Sequence, residues 1–321
     1  MSKPTALILL NMGGPDSLEA VKPFLYNLFS DRELIQLPAG RILQKPFARI
    51  ISHLRAKQVV ENYRTIGGKS PLLEWTQKQA NGIAVKLGAD FSPYVIMRYW
   101  HPRADEVLGE IKSAGIESAI VVSMYPHYTR ATTGSSVNDF KRTAKKIYPQ
   151  LKYQLIESWH DWPPYLDALA SRIVMGLDNY HDLMRNEVQI LFSAHALPQK
   201  FIDRGDPYQQ QVEETATAVM ERVGKYDWSI AYQSRSGPVD WMEPGTEEEL
   251  RRLADDGHRA VLMVPISFVS DHIETLEEID IQYRGLATSL GLVNFLRTPS
   301  LNDGSDFLDA IADLIRDRCQ V

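Results

Sequence analysis

Two stretches of the chain carry side chains that could do chemistry together. In the first, Leu191-Phe192-Ser193-Ala194-His195-Ala196-Leu197-Pro198, an apolar run delivers a histidine just past its last buried position, and Pro198 stops the extension. Taken alone, a histidine at a strand end is more often structural than chemical. In the second, Asp271-His272-Ile273-Glu274 follows another apolar run, with Glu277 and Glu278 behind it. A helix starting near Asp271 would put Asp271, Glu274 and Glu278 on one face by i+3 and i+4 spacing. The helix macrodipole favours acidic residues in a first turn. That accounts for Glu277 and Glu278, and less well for an Asp-His-x-Glu cluster at the mouth of a buried strand. Imidazole and carboxylate together suit a divalent transition metal such as iron. An imidazole near its ordinary pKa can also move protons at neutral pH.

The elements that must position these groups alternate along the chain. Apolar runs predict strands at 6–10, 94–97, 118–124, 153–156, 189–193, 229–232, 260–264 and 293–296. Most lack polar alternation, as strands buried on both faces of a parallel sheet should. Helical patterns fall between them at 104–113, 135–147, 165–177, 209–223, 247–253, 275–290 and 307–318. The class is α/β with doubly wound parallel sheets. Ligands in such folds gather beyond the carboxyl ends of the strands, where both loaded stretches lie.

A faint echo suggests two similar halves. Gly115 and Gly257 each follow a helical pattern and precede a buried strand that ends near a proline, Pro126 or Pro265. Each glycine would cap its helix in the left-handed conformation. Trp159-His160-Asp161-Trp162-Pro163-Pro164 interrupts the alternation and marks the boundary. One segment, residues 37–57, breaks the pattern differently. It carries Arg41, Lys45, Arg49, Arg55 and Lys57 without an acid, with Leu43, Phe47, Ile50, Ile51 and Leu54 at helical spacing between them.

The net charge of −6 argues against a broad nucleic-acid surface. A single cysteine, Cys319, excludes an internal disulfide and a CxxC metal site, and fits a reducing compartment. The first apolar run is too short for a membrane span or a signal peptide, so a cytoplasmic or peripherally associated protein is expected. Two common nucleotide motifs fail. Asn11-Met12-Gly13-Gly14-Pro15 lacks the third glycine of a dinucleotide loop, and Tyr63 stands where a phosphate loop ending in Gly67-Gly68-Lys69-Ser70 needs its first. Of the other histidines, His53 and His181 read as surface residues and His160 and His258 as structural. His101 and His127 could be either.

Taken together, the loaded stretches resemble the ferrochelatase family. Ser193-Ala194-His195-Ala196-Leu197-Pro198 is similar to one of its blocks, and Phe268-Val269-Ser270-Asp271-His272-Ile273-Glu274-Thr275-Leu276 to its most diagnostic signature. The likeness extends over Leu10–Pro15, Tyr63–Pro71, Arg98–Pro102, Thr132–Ser136, Arg204–Tyr208 and Gln233–Pro238. It implies two Rossmann-like domains, 1–160 and 161–303, with the active-site cleft between them. Residues 37–57 would form a lip over that cleft, and a C-terminal helix at 304–321 would pack back on the first domain.

The implied activity is insertion of Fe²⁺ into protoporphyrin IX to form protohaem, the terminal step of haem biosynthesis. Coproporphyrin or another tetrapyrrole is an alternative substrate, and a non-catalytic porphyrin carrier is the reading from another class. The resemblance makes His195 and Glu274 the catalytic and metal-contacting pair. Met12, Arg98, Tyr99 and Trp241 would line the cleft, with Ser70 near a propionate, and Asp271, His272 and Glu278 would form a polar path beside the metal. Gln282 departs from the family pattern, standing where a third glutamate is usual. The chain also ends without the cysteine-bearing extension that some members use for an iron–sulfur cluster. Neither a cluster nor any permanently bound cofactor is therefore expected, and Fe²⁺ enters as a substrate. Reversible contact between the basic lip and anionic membrane is a further expectation.

Overall fold

The computed structural model describes residues 4–35, 37, 40–181 and 185–320, with the side chain of Arg41 also outside the description. The chain forms two compact units, Met1–Ser158 with Leu308–Val321, and Trp159–Phe307.

In the first unit, strands β1 (Thr5–Asn11), β2 (Phe91–Met97), β3 (Ser118–Ser123) and β4 (Lys152–Ile156) form a parallel sheet in the order β2-β1-β3-β4. Helices α1 (Val21–Phe29), α2 (Gly40–Thr65), α3 (Leu72–Leu87), α4 (Ala104–Ser113) and α5 (Ser135–Ile147) accompany it. Ala6, Ile8 and Leu10 of the central strand pack with Leu108 and Ile111 of α4 and Val137 and Phe140 of α5. Burying each such aliphatic chain stabilises the fold by roughly 1.5–3 kcal/mol.

The second unit repeats the plan. Strands β5 (Gln189–His195), β6 (Trp228–Gln233), β7 (Ala260–Pro265) and β8 (Asn294–Arg297) run parallel in the order β6-β5-β7-β8. Its helices are α6 (Pro163–Leu177), α7 (Gln199–Asp203), α8 (Tyr208–Val223), α9 (Thr246–Asp255) and α10 (Arg284–Ser289). The last helix, α11 (Ser305–Cys319), starts in this unit and belongs to the first from Leu308 onward.

All eight expected strands form, in a parallel α/β arrangement. The echo is real in the fold. Gly115 and Gly257 have φ of 68° and 90° and end α4 and α9, and the strands that follow, β3 and β7, hold the same place in the two sheet orders. Each of these strands is also followed by π-helical backbone, a turn at Arg130–Gly134 and a longer stretch at Glu274–Tyr283.

Helices α1 and α3 were not among the expected ones. Pro23 lies in the first turn of α1, where its missing N–H is no loss. Gly82 breaks the apolar pattern of α3 but not the helix, which runs through it, and a Cβ there would lie 2.5 Å from Leu308 Cδ1. The basic segment is the first part of α2, with residues 38–39 and the Arg41 side chain outside the described residues. Its buried face is small and polar (Gln44, Ala48, Ser52), while Ile42, Leu43, Ile50 and Leu54 are exposed.

Candidate active site

The loaded stretches both lie in the second unit. β5 ends on His195, whose backbone is held from two sides. Its N–H donates to Ser267 Oγ at 3.1 Å, and its carbonyl accepts from the Tyr208 hydroxyl at 2.9 Å. The Tyr208 and Ser267 hydroxyls are themselves 2.6 Å apart. Phe268 stands edge-on to the His195 ring at 6.0 Å between centroids and stacks at a tilt on His272 at 4.1 Å.

Glu274 opens the π-helix. Its Oε2 lies 3.2 Å from His195 Nδ1 and 3.1 Å from His272 Nε2. His272 is buried, with Nδ1 3.0 Å from the Ser270 carbonyl and Nε2 3.1 Å from Glu274 Oε2, so its ring is held between the two. His195 Nδ1 is different. It is buried and near the carboxylate, but off the line of a hydrogen bond and without a hydrogen-bond partner.

One turn further on, Glu278 is surrounded by donors. Its Oε1 accepts from Ser234 N–H at 2.9 Å and the Tyr283 hydroxyl at 2.8 Å, and its Oε2 from Gln233 Nε2 at 3.1 Å and the Ser234 hydroxyl. Ser234 has φ 65°, a left-handed backbone that turns its N–H and hydroxyl toward one carboxylate.

These neighbours push the carboxyls apart. Burial favours neutral Glu274, but the charge of His195, 3.2 Å away, and the charge and hydrogen bond of His272 outweigh it and hold the carboxyl far below its usual range. Burial and the charge of Glu274 instead raise Glu278. For His195, burial favours the neutral ring, and the charges of Glu274 and Glu278 overcome it and raise the imidazole above its ordinary value. Two nearby carboxyls in opposed environments are a recognisable acid–base assignment. An ionised carboxylate beside an imidazole can take a cation at one group and a proton at the other.

The helix expectation needs correction here. Asp271 lies outside the helix, and the backbone from Glu274 is π-helical rather than α-helical. Asn302 accepts from the Asp271 N–H at 2.9 Å and donates to its carboxylate at 2.8 Å, which keeps that residue in the preceding turn. Arg297 and Ser300 also bond the Asp271 carboxylate, so it does not share a face with Glu274 and Glu278. Trp241 pairs with Pro198 in an isolated antiparallel bridge, just beyond the His195 strand end. Gln282, the departure from the family pattern, donates to both oxygens of Glu277 at 2.8 and 2.9 Å.

In the first unit, the ends of β1 and β2 are tied together. Arg98 and Tyr99 N–H donate to the Asn11 and Met12 carbonyls at 2.8 and 2.9 Å. Ser70 lies over Gly14, where a Cβ would approach Ser70 Oγ to 2.4 Å. Arg98 and Tyr99 both turn to Asp31, their side chains donating to its Oδ2 at 2.8 Å each. Arg98 also donates to Ser135 Oγ at 2.7 Å, and the Ser135 hydroxyl donates to Asp31. Tyr99 is thus buried as a support, while Met12 and Ser70 are half-buried. Tyr208, Gln233, Ser234 and Ser135 lie in the sequence blocks named above, without an assigned role there. Asp31 and Arg297 carried no signal.

Among the described residues, no three or more His, Cys, Asp or Glu side chains group so as to hold a metal ion. His195 and Glu274 are two donors, against the four of a closed structural site. A family model described as ferrochelatase matches residues 4–319.

The chain belongs to the ferrochelatase family.

Ferrochelatases of Geobacter metallireducens and Geotalea daltonii are 51% and 49% identical over 317 residues, covering 98% of this chain and 99% and 98% of theirs. The ferrochelatase of a Picosynechococcus species is 45% identical over 97% of this chain and 82% of its own. Among solved structures, SirB from Bacillus subtilis with Fe³⁺ is similar at a TM-score of 0.53 and 14% identity, over 75% of this chain and 88% of that one. The sirohydrochlorin chelatase SirB from Bacillus subtilis subspecies spizizenii, in complex with cobalt, has TM-score 0.53 at 9% identity, over 98% and 94%. At such identities the likeness speaks for the fold alone. Ferrochelatases are porphyrin metal chelatases, lyases of haem biosynthesis that insert ferrous iron into a porphyrin. No helix among the described residues is long and apolar enough to cross a membrane.

Proposed function

We propose that this ferrochelatase inserts Fe²⁺ into protoporphyrin IX through His195 and Glu274. The observation that supports this is the unpartnered His195 Nδ1, 3.2 Å from a carboxylate held ionised. Insertion exchanges two pyrrole protons for one divalent cation, and the iron must lose water on the way. Glu274, ionised and oriented by His272, is assigned to the metal. His195 in its neutral form is assigned to the pyrrole protons, because a positioned base accelerates such a step by on the order of 10²–10⁴. Glu278, its pKa raised by burial and by Glu274, receives protons next.

Met12, Ser70 and Trp241 are assigned to the porphyrin, with Arg98 and Tyr99 supporting them from the Asp31 network. Fe²⁺ is a substrate, and no permanently bound cofactor or iron–sulfur cluster is invoked. Anaerobic incubation with Fe²⁺ and either protoporphyrin IX or coproporphyrin, followed at the Soret band, tests the substrate. Faster insertion into protoporphyrin supports the assignment, and a clear preference for coproporphyrin replaces it.

The proposal extends to location: a cytoplasmic enzyme in reversible contact with anionic membrane. Support comes from α2, where Ile42 and Leu54 are 77% and 68% exposed beside exposed Lys45 and Arg49. Each such cation near an anionic surface contributes about 1 kcal/mol. Vesicle co-sedimentation should rise with anionic lipid, fall with salt and disappear in a Lys45→Gln/Arg49→Gln variant. Binding indifferent to salt and to these changes would remove the membrane from the account.

A further inference from the structure

A ten-residue π-helix is unusual, since i→i+5 backbone normally occurs as single turns inside α-helices. Something outside the segment must hold Glu274–Tyr283 in this form. The arrangement of Arg297, at the end of β8, fits that need. Its Nη2 and Nε donate to the two oxygens of Asp280 at 2.7 and 3.0 Å, a bidentate fork on the middle of the π-helix. Its Nη1 donates to Asp271 Oδ1 at 3.1 Å, at the turn before the helix begins. The guanidinium is 11% exposed and Asp271 and Asp280 are 18% and 26% exposed, so the group is largely sheltered from water. Arg284 reinforces it, donating to the Asp280 and Phe295 carbonyls at 3.0 and 2.9 Å.

We infer that Arg297 is a positioning residue for metal insertion: it spans from Asp271 to Asp280 and so fixes the π-helical register that sets Glu274 against His195 and Glu278. If the segment relaxed toward 3.6 residues per turn, Glu278 would swing about the helix axis relative to Glu274. The Ser234 and Gln233 bonds to Glu278 would then be lost. Arg297 itself touches none of the three groups assigned to the reaction. Lysine cannot replace it, because a single ammonium cannot reach two carboxylates in a planar fork. The inference rests on the assignment of Glu274 to the metal.

The test uses the full chain with Arg297→Gln, Arg297→Lys, Asp280→Asn and the Arg297→Gln/Asp280→Asn double variant, and Glu274→Gln as reference. Turnover should fall at least about tenfold in each single variant while the porphyrin KM stays within about twofold. The double variant should be no worse than the worse single, as expected for residues acting as one unit. Amide hydrogen exchange should show lost protection confined to the π-helix and its flanks. Wild-type turnover in Arg297→Gln, additive losses in the double, or a defect carried by porphyrin KM alone would overturn the inference. If Arg297→Gln fails to fold, Asp280→Asn and the exchange pattern decide. An active Glu274→Gln overturns the underlying site assignment, whereas an inactive Glu274→Gln beside a fully active Arg297→Gln overturns only the positioning role.

Discussion

Replacing Asp31 by alanine should be among the most damaging single changes in the first unit. Its carboxylate is 5% exposed and accepts from Arg98, Tyr99 and Ser135, with Glu33 N–H adding a bond at 2.9 Å. Removing it leaves the guanidinium of Arg98, 13% exposed, with its nearest other carboxylate at 3.9 Å on Asp139. Breaking a buried pair by deleting one partner costs about 3–5 kcal/mol. At about 2–4 °C per kcal/mol for a unit of this size, the melting point should drop by roughly 6–20 °C. The pH dependence has a definite sign. Burial works to raise the pKa of Asp31, but Arg98 and the hydrogen bonds prevail and lower it. Its contribution is therefore complete above about pH 4, the unfolded value, and is lost as pH falls through the folded one. Urea titrations from pH 7 down to pH 3 should show wild type and variant converging in acid. A loss below about 1 kcal/mol at neutral pH, or a gap that widens in acid, would show that the Asp31–Arg98 pair does not carry this stability.

Gly14→Ala should cost roughly 1–3 kcal/mol by overpacking against Ser70, and Ser70→Gly in the same chain should restore melting, because the next atom, the Tyr63 hydroxyl, is 3.6 Å away. A defect that Ser70→Gly does not relieve would show that the strain lies elsewhere. The pH profile of kcat/KM should rise through the raised pKa of His195, with a midpoint above the ordinary histidine value. Glu278→Gln removes one of the charges that raise it and should move that midpoint down; a midpoint that moves up contradicts the assignment of His195 as the base.

The strands were legible because burial on both faces leaves uninterrupted apolar runs, as in Ile190–Phe192 and Val261–Val264. Gly115 and Gly257 were legible because a left-handed helix end needs glycine. His195 and Glu274 stood out by their positions just past buried strands. The π-helix did not, since an acidic stretch such as Glu274-Thr275-Leu276-Glu277-Glu278 reads equally as α. Its backbone depends on partners far along the chain, Arg297 and Ser234 among them. For the same reason Asp271 was placed on the helix, whereas Asn302 holds it in the turn before. The inward turn of Arg98 and Tyr99 depends on Asp31, an acid 67 residues away from Arg98 with no periodic pattern around it.

If His195 and Glu274 form the insertion centre, anaerobic single-turnover insertion of Fe²⁺ into protoporphyrin IX must slow sharply in His195→Ala and in Glu274→Gln. Porphyrin binding, followed by fluorescence, should survive in both variants, while the insertion rate falls by about 10²-fold or more, the minimum expected for a lost base. Either folded variant keeping more than about a tenth of the wild-type rate would place the insertion centre elsewhere.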